Sequence, residues 1–505
     1  MCLGERNLPG KVRLTRLTDG HRCAMNFDLN SQARHELGSR LIEVVNNYFG
    51  SLPDRPVQVA AEQRVHSRRL SRIPETGDDA VKVFDGLCHE LIASGFHIPS
   101  AHYLGMMNPT PTYMAFLAEA LVAAMNPQLA TVARSQLASA IEAETVGWIG
   151  ELVGWPSEFS GTFTTGGNEA NLSALALALS RRFPGVVENG VAACAAQPVL
   201  YASVEGHHSL DKSTGLLGLG RRALRRIAVN ESLQLNVEEL EAAINRDLAA
   251  GNAPFCVVAT AGTTSSGAID QLTLISEICR RHDIWFHVDG AYGAAVLFSD
   301  RHRHLVSGIE QADSITLDPH KWLAMPFSAG LMLTRHPELL VPTFSVPCPY
   351  LQKTAEGSFP DNLSISAQWS RRMNSLKLWL TLRVHGRRAY QELVDRQIEL
   401  ARCFAQWVTA SDIFELAAPQ VLPILNLRLR APGISDQETG DLHSAIIEEV
   451  NRDGQRWISG ATVNGESVIR TMIISYLTGE RHLEGLQEAL QAAALKIGAV
   501  ATVRT

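Results

Sequence analysis

The sequence predicts an α/β protein built on a mostly parallel sheet flanked by helices, with a small C-terminal α+β domain. Three observations carry that expectation. Short apolar runs, such as 284–288 and 315–317, stop abruptly at charged residues. Runs of that length between helical patterns describe strands buried on both faces of a parallel sheet. Strand-like and helix-like segments alternate from about residue 106 to 380, as βαβ units do. Beyond that, a long helical pattern leads into a shorter strand–helix–strand–helix series.

Composition narrows the class. The 505 residues carry a formal net charge of −7, with 46% hydrophobic and 19% charged residues, ordinary values for a globular protein. An acidic balance offers no basic surface for nucleic acid, so no such partner is expected. No apolar run reaches the length of a membrane span, and the opening MCLGERNLPGKVRL lacks the apolar centre of a secretory signal. A cytoplasmic protein with no membrane partner is expected. The eight cysteines, at 2, 23, 88, 194, 256, 279, 348 and 403, form no CxxC pair. Neither a zinc site nor a disulfide framework is indicated, and no metal is expected.

In order, residues 1–105 form an N-terminal helical segment. Positions 34–49 carry Leu37, Leu41, Val44, Val45 and Tyr48 at helical spacing, and Pro53 and Pro56 end that pattern. A second helix is predicted over 78–94, with Val81, Phe84, Leu87, Cys88 and Leu91 inward. Two helices joined by a polar linker make no core alone, so they must pack on something else. A turn-rich loop follows, His102-Tyr103-Leu104-Gly105 and then Asn108-Pro109-Thr110-Pro111.

Residues 106–380 form the large domain. A helix is predicted over 133–153, with Leu137, Ile141, Trp148 and Leu152 as its stripe. Gly161 to Asn171, GTFTTGGNEAN, then feeds the helical run LSALALAL. Free N–H groups at such a helix start favour a phosphate, and glycine lets it approach, although a GG–helix junction alone is weak evidence. Strands are predicted at 199–203, leading to Glu205-Gly206-His207-His208-Ser209, and at 255–261, leading to Gly262-Thr263-Thr264. The histidine is read equally as a structural cap or as a flat ring able to stack. The threonines suit ligand oxygens or helix caps.

The most informative stretch comes next. IWFHVDGAYGA ends one strand at Asp289, and ADSITLDPHKWLAM ends another at Asp318, His320 and Lys321. In parallel sheets, ligands collect beyond the carboxyl ends of the strands. Lysine is scarce, at only seven positions, and Lys321 alone follows a buried strand. Desolvation makes a lysine harder to charge and frees its amine for Schiff-base chemistry. By itself Lys321 is better explained by a stem packed on Trp322 with its tip in water. Asp289 shifts the balance, because a buried acid needs a cationic partner and a protonated pyridine nitrogen is one.

HVDGAYG, with the lysine of DPHKW 32 residues after Asp289, resembles the group II pyridoxal-phosphate-dependent amino acid decarboxylases, which include aromatic-L-amino-acid and glutamate decarboxylases. The likeness runs from about residue 103 to 390. It implies the fold type I, aspartate-aminotransferase-like architecture, pyridoxal 5'-phosphate as cofactor, and a homodimer with shared active sites whose N-terminal segment wraps the partner. Carried over by position, it implies that Lys321 bonds the cofactor and Asp289 holds its ring nitrogen. His207 stacks on the ring, and Ala291 leaves room at the other face. Gly167, Asn168 and His320 serve the phosphate, and Thr264 contacts the cofactor. Tyr103 and Pro109 line the substrate pocket. Tyr350, in the proline-marked loop 341–367, protonates the carbanion from across the dimer. Asp318 departs from the family, which often has asparagine there.

Residues 381–505 form the small domain. Its parts are a helical pattern over 376–408 broken near Gly386, strands at 424–429 and 468–474, and helices around 442–450 and 483–494. Arg470 is read as facing the cleft or, more simply, as a surface ion pair.

The expected reaction is loss of the substrate carboxylate as CO2, with Tyr350 or His207 returning a proton to Cα. The bond held perpendicular to the cofactor ring is the one that breaks, so orientation chooses the reaction. Competing readings are decarboxylation-dependent aldehyde synthesis, carbon–carbon cleavage as in the related sphingosine-phosphate lyases, and a binding protein with a silent site. No basic cluster near the pocket segments reads a second carboxylate, His102, Arg371 and Arg372 being the exceptions. An aromatic or bulky neutral L-amino acid is expected, with glutamate or diaminobutyrate as alternatives.

Overall fold

Seven short apolar segments pair into one sheet, β1 (Ser160–Thr164), β2 (Pro198–Ser203), β3 (Leu224–Ile227), β4 (Ala253–Thr260), β5 (Trp285–Asp289), β6 (Ser314–Leu317) and β7 (Gly330–Thr334). The computed structural model describes residues 28–61, 73–156, 158–348, 360–431 and 433–498. The strand order is β1-β7-β6-β5-β4-β2-β3. Strands β3, β2, β4, β5 and β6 pair in parallel. Strand β7 runs antiparallel to both β6 and β1. The reversal has a local cause. The link from β6 to β7 is made of turns, not the helical crossover a parallel return requires. Those turns carry Lys321.

Helices cover both faces, which is why β2, β4, β5, β6 and β7 are buried along their whole length. On one face, Leu175, Ala178 and Leu179 of helix Gly167–Arg182 pack with Leu200, Val258, Trp285 and Met332. On the other, Ile149, Leu240, Ile244 and Ile275 pack with Tyr201, Val257, Phe286 and Val288.

Helix Ser375–Ala410 leads out of this unit, with one non-helical residue, Gly386, at φ 73° and ψ 172°. That is the break the sequence marks. Strands β8 (Phe414–Leu416), β9 (Ile424–Leu429), β10 (Ser459–Val463) and β11 (Glu466–Met472) form an antiparallel sheet in the order β10-β11-β9-β8. The strand period of two splits its contacts. Leu425, Leu427 and Ile469 join the core under helices Asp436–Asn451 and Glu480–Lys496, whereas Ile424 and Met472 join the core of the large sheet.

The N-terminal helices span Ser31–Ser51 and Ala80–Ser94, and neither buries a single residue. Their apolar stripes lie open, with Leu41 42% and Leu91 61% exposed. The predicted helix over 133–153 is a 3₁₀ turn, Val132–Arg134, followed after Ser135 by helix Gln136–Val153. No described helix is long and apolar enough to cross a membrane.

Candidate active site

Five chain segments leave the sheet at one edge. β1 runs into Thr165-Gly166 and the helix starting at Gly167, and β2 into His207. β4 runs into Gly262–Thr264, β5 ends on Asp289, and β6 runs into Asp318–Lys321. Because β4, β5 and β6 are parallel neighbours, their carboxyl ends share that edge, with Asp289 beside Thr316 in register. A cavity of ≈ 420 Å³ opens there, a size suited to a small organic ligand. Gly167, Asn168, His207, Thr264, Asp289, Ala291, His320 and Lys321 all line it.

The loop 102–111 behaves differently. Its Met107 and Asn108 line the cavity, but Tyr103 and Pro109 do not. Tyr103 is 7% exposed and stacks on Trp457 at 5.1 Å, and burial pushes its hydroxyl up to about 12. Pro109 is buried. Tyr350 lies outside the described residues.

Lys321 Nζ lies 3.0 Å from Asp318 Oδ2. Asp318 is 2% exposed, and its Oδ1 has no hydrogen-bond partner. A second lysine, Lys377, is buried more deeply but fully engaged. Its Nζ pairs with Glu119 at 3.0 Å and donates to the carbonyls of Ser328 and Pro326 at 2.7 and 3.3 Å. Lys321 is thus the amine facing the cavity. The tryptophan beside it turns away, stacking on Tyr292 and donating to Gln397.

Asp289 is 5% exposed. Its Oδ1 accepts the Ala291 N–H at 3.2 Å and its Oδ2 accepts Asn171 Nδ2–H at 2.8 Å. His207 Nδ1 accepts the Ser209 N–H at 3.1 Å, so the ring proton of the neutral form sits on Nε2. Burial lowers the pKa of His207, Lys321 and His208 add to that, and Asp289 and Asp318 oppose it. Its neighbour His208 is distinguished by position, with a side chain 95% exposed beside Asp211. His320 Nδ1 accepts the Ala329 N–H at 3.0 Å, and burial lowers its pKa too.

The glycine at 167 is required by space. A Cβ there would stand 2.9 Å from Asp318 Oδ2 and 3.2 Å from the Ala291 methyl. The helix start therefore meets the Lys321 loop with nothing between. Free backbone donors at that start, an acid, an amine and a small residue around one slot are what a flat phosphate-bearing heterocycle with an aldehyde needs.

Residues 66–430 match the family described as "Pyridoxal-dependent decarboxylase conserved domain". The chain belongs to that family. It is 28% identical over 477 residues to the aromatic-L-amino-acid decarboxylase of Bacillus atrophaeus, covering 94% of this chain and 98% of the relative. It is 28% identical over 481 residues to tryptophan decarboxylase 2 of Oryza sativa subsp. japonica, covering 93% and 96%. The phenylacetaldehyde synthase of Arabidopsis thaliana matches at 26% over 477 residues, covering 92% and 96%. Among solved structures, Oryza sativa TDC with PLP and tryptamine superposes with a TM-score of 0.83 at 24% identity, covering 93% of this chain and 99% of that one. Mouse CSAD gives 0.80 at 24%, covering 90% and 98%. The fold is that of the fold type I decarboxylases, and the protein is a pyridoxal 5'-phosphate-dependent amino acid decarboxylase.

Two site-related residues were not fully read from the sequence. Of the two readings of Arg470, cleft-facing or surface ion pair, the favoured ion pair does not hold: it is 6% exposed and pairs with no carboxylate among the described residues. Its Nη1 donates to the Thr264 carbonyl at 2.8 Å, Nη2 to the Gly105 carbonyl at 3.2 Å and Nε to Ser459 Oγ at 3.1 Å. Burial pulls its pKa down. The signal was its parity with Met472, which also faces the large domain. Asn171 is the other. An amide one turn after Gly167, on the buried side of that helix with Ala170 and Ala174, demanded a buried partner, and that partner is Asp289.

Proposed function

We propose that this enzyme removes the carboxylate of an aromatic or other bulky neutral L-amino acid as CO2 and releases the amine. One observation supports the neutral side chain. Among the described residues, Lys321 is the only lysine or arginine lining the cavity. The basic residues considered for reading a second carboxylate are committed elsewhere. Arg371 is buried against Glu142 at 2.6 Å, and Arg372 pairs with Glu119 at 2.7 Å. His102 packs edge-on against His482, and burial pulls its pKa down to about 4. A binding site lacking a spare cation leaves an acidic side chain desolvated and unpaired. The named relatives that act on aromatic amino acids agree with this choice. CO2 release measured across the twenty amino acids, dopa, diaminobutyrate and cysteine sulfinate tests it. Preference for glutamate, cysteine sulfinate or diaminobutyrate would overturn it.

Bound here, pyridoxal 5'-phosphate supplies an electron-poor ring that takes up the electron pair left at Cα when CO2 departs. Lys321 would hold the cofactor through its amine, which Asp318 Oδ2 positions from 3.0 Å away. Asp289 would hold the ring nitrogen, a carboxylate there favouring its protonated form. His207 would stack on the ring, with the proton of its neutral form on Nε2. Ala291 leaves room on the opposite face. Gly167, Asn168 and His320 would take the phosphate, and Thr264 would contact the cofactor. Tyr350 returns a proton to Cα.

The N-terminal segment 1–105 packs across a homodimer with shared sites. The open apolar stripes of its two helices support this, as nothing within the described chain buries them. Light scattering on the purified protein tests it, and a monomer would overturn it. The remaining units are 106–380 for the cofactor and 381–505 as the small domain. The six described cysteines are all unpaired, which supports a reducing, cytoplasmic location.

A further inference from the structure

Behind the acid of the cavity runs a line of buried polar side chains that none of the steps above uses. Asn171 Nδ2 donates to Asp289 Oδ2 at 2.8 Å and approaches Ser209 Oγ at 3.2 Å. Asn171 Oδ1 accepts Thr316 Oγ1–H at 2.7 Å and faces His287 Nε2 at 3.1 Å. His287 Nδ1 lies 2.8 Å from Ser314 Oγ, which accepts Trp285 Nε1–H at 2.8 Å. Asn171, Thr316, His287, Ser314 and Trp285 are each at most 1% exposed, and Asp289 and Ser209 are 5% exposed.

The two ends fix the direction of every proton between them. An indole N–H can only donate, and an ionised carboxylate can only accept. Trp285 therefore donates to Ser314, and Ser314 donates to His287 Nδ1. The imidazole proton then sits on Nε2 and is given to Asn171 Oδ1, so Asn171 presents its N–H to Asp289. Burial pulls the His287 pKa down to about 4, which leaves the ring with the single proton this order requires. The opposite tautomer is also built in. Its Nδ1–H would donate to the Ser314 carbonyl, 3.1 Å away. Asn171 would then have to turn over and set its carbonyl oxygen against Asp289, an arrangement only a protonated acid accepts. The line thus has two states, one for each form of Asp289. The titratable groups that feel the charge of that acid are His287 behind it and His207 on the cavity side, and His207 in turn feels Lys321, Asp318 and His208.

We propose that Asn171, backed by His287, is a positioning residue for the reaction: it aims Asp289 Oδ2 and holds Asp289 as the carboxylate that the cofactor's ring nitrogen requires. This rests on the reading of Asp289 as the ring-nitrogen partner.

The test uses holoenzyme of Asn171→Ala, His287→Leu, His287→Gln and Asp289→Asn. Two readouts besides turnover are the pH midpoint of the bound cofactor's visible spectrum and the rate of cofactor loss on dilution. Asn171→Ala and His287→Leu should each speed cofactor loss ~10-fold, the weight of one hydrogen bond to a charged group. Both should move the spectral midpoint in the direction Asp289→Asn moves it, and lower kcat more than KM. His287→Gln, whose amide still donates to Asn171, should stay near the parent. In an Asp289→Asn background the Asn171 change should add nothing. An unchanged spectrum and retention in Asp289→Asn would remove the underlying reading of Asp289. A shift in Asp289→Asn with none in Asn171→Ala, or additive effects of the two, would remove this proposal alone. If His287→Leu does not fold, the Asn171–Asp289 double-variant comparison still decides.

Discussion

Replacing Arg470 by methionine separates two descriptions of that residue. As an exposed ion pair it would contribute about 0–1 kcal/mol. The structure instead buries it at 6% exposure, donating to the carbonyls of Thr264 and Gly105 and to Ser459 Oγ. Losing these bonds strands two buried carbonyls, each costing about 1–3 kcal/mol. Part of that is recovered, because methionine removes a desolvated cation that has no carboxylate nearby. The expected net loss is roughly 2–4 kcal/mol. Arg470 ties strand β11 to the 105 loop and to the 264 loop, so the loss should be local first. Hydrogen exchange should quicken in 103–108 and 262–266, and the midpoint of chemical denaturation should fall. A variant within ~0.5 kcal/mol of the parent, with unchanged exchange in both loops, would refute the buried-tie account.

Lys321→Ala should abolish CO2 release and the visible absorbance of the bound cofactor, both read in one spectrophotometric and gas-evolution experiment. Gly167→Ala should weaken cofactor binding while thermal stability holds, because alanine favours the helix by about 1 kcal/mol but fills the space against Asp318 and Ala291; calorimetric titration and a melting curve check the two halves. Tyr350→Phe should divert product from amine toward aldehyde, and unchanged amine output on chromatography would remove its role as proton donor. Burial pushes Asp270 up to about 6 while its oxygens accept the Leu235 and Thr260 N–H groups. The folded pKa lies above the unfolded one, so this contribution is present below pH ~4 and lost as pH rises through ~6, about 3 kcal/mol in all. Asp270→Asn should therefore gain on the parent by about that much between pH 4 and 6, read from denaturation midpoints at several pH values.

The alternation of buried strands with helices was legible from the chain, as were Asp289 and Lys321. Each lies where an apolar run breaks at a charge, a pattern that needs no distant partner to be seen. The break at Gly386 was equally plain, since glycine tolerates the φ of 73° found there. Strand β7 shows the limit. Its sequence says strand but not direction, and its reversal follows from a turn-filled link. Tyr103 marks another limit. An aromatic residue in a turn-rich loop fits a pocket wall or a buried stack equally well, and only the position of Trp457, far along the chain, decides for the stack.

What the amino-acid order determined by itself is the set of reactive groups and the strand ends that bear them. Period and punctuation are local properties. What only the tertiary structure decided is how the buried polar groups are satisfied. Lys377 is spent on Glu119 and two carbonyls while Lys321 faces the cavity, Arg470 is an interior tie, and Asn171 stands behind Asp289. A buried donor or acceptor takes whichever partner folding brings within about 3 Å, and sequence separation says nothing about that distance.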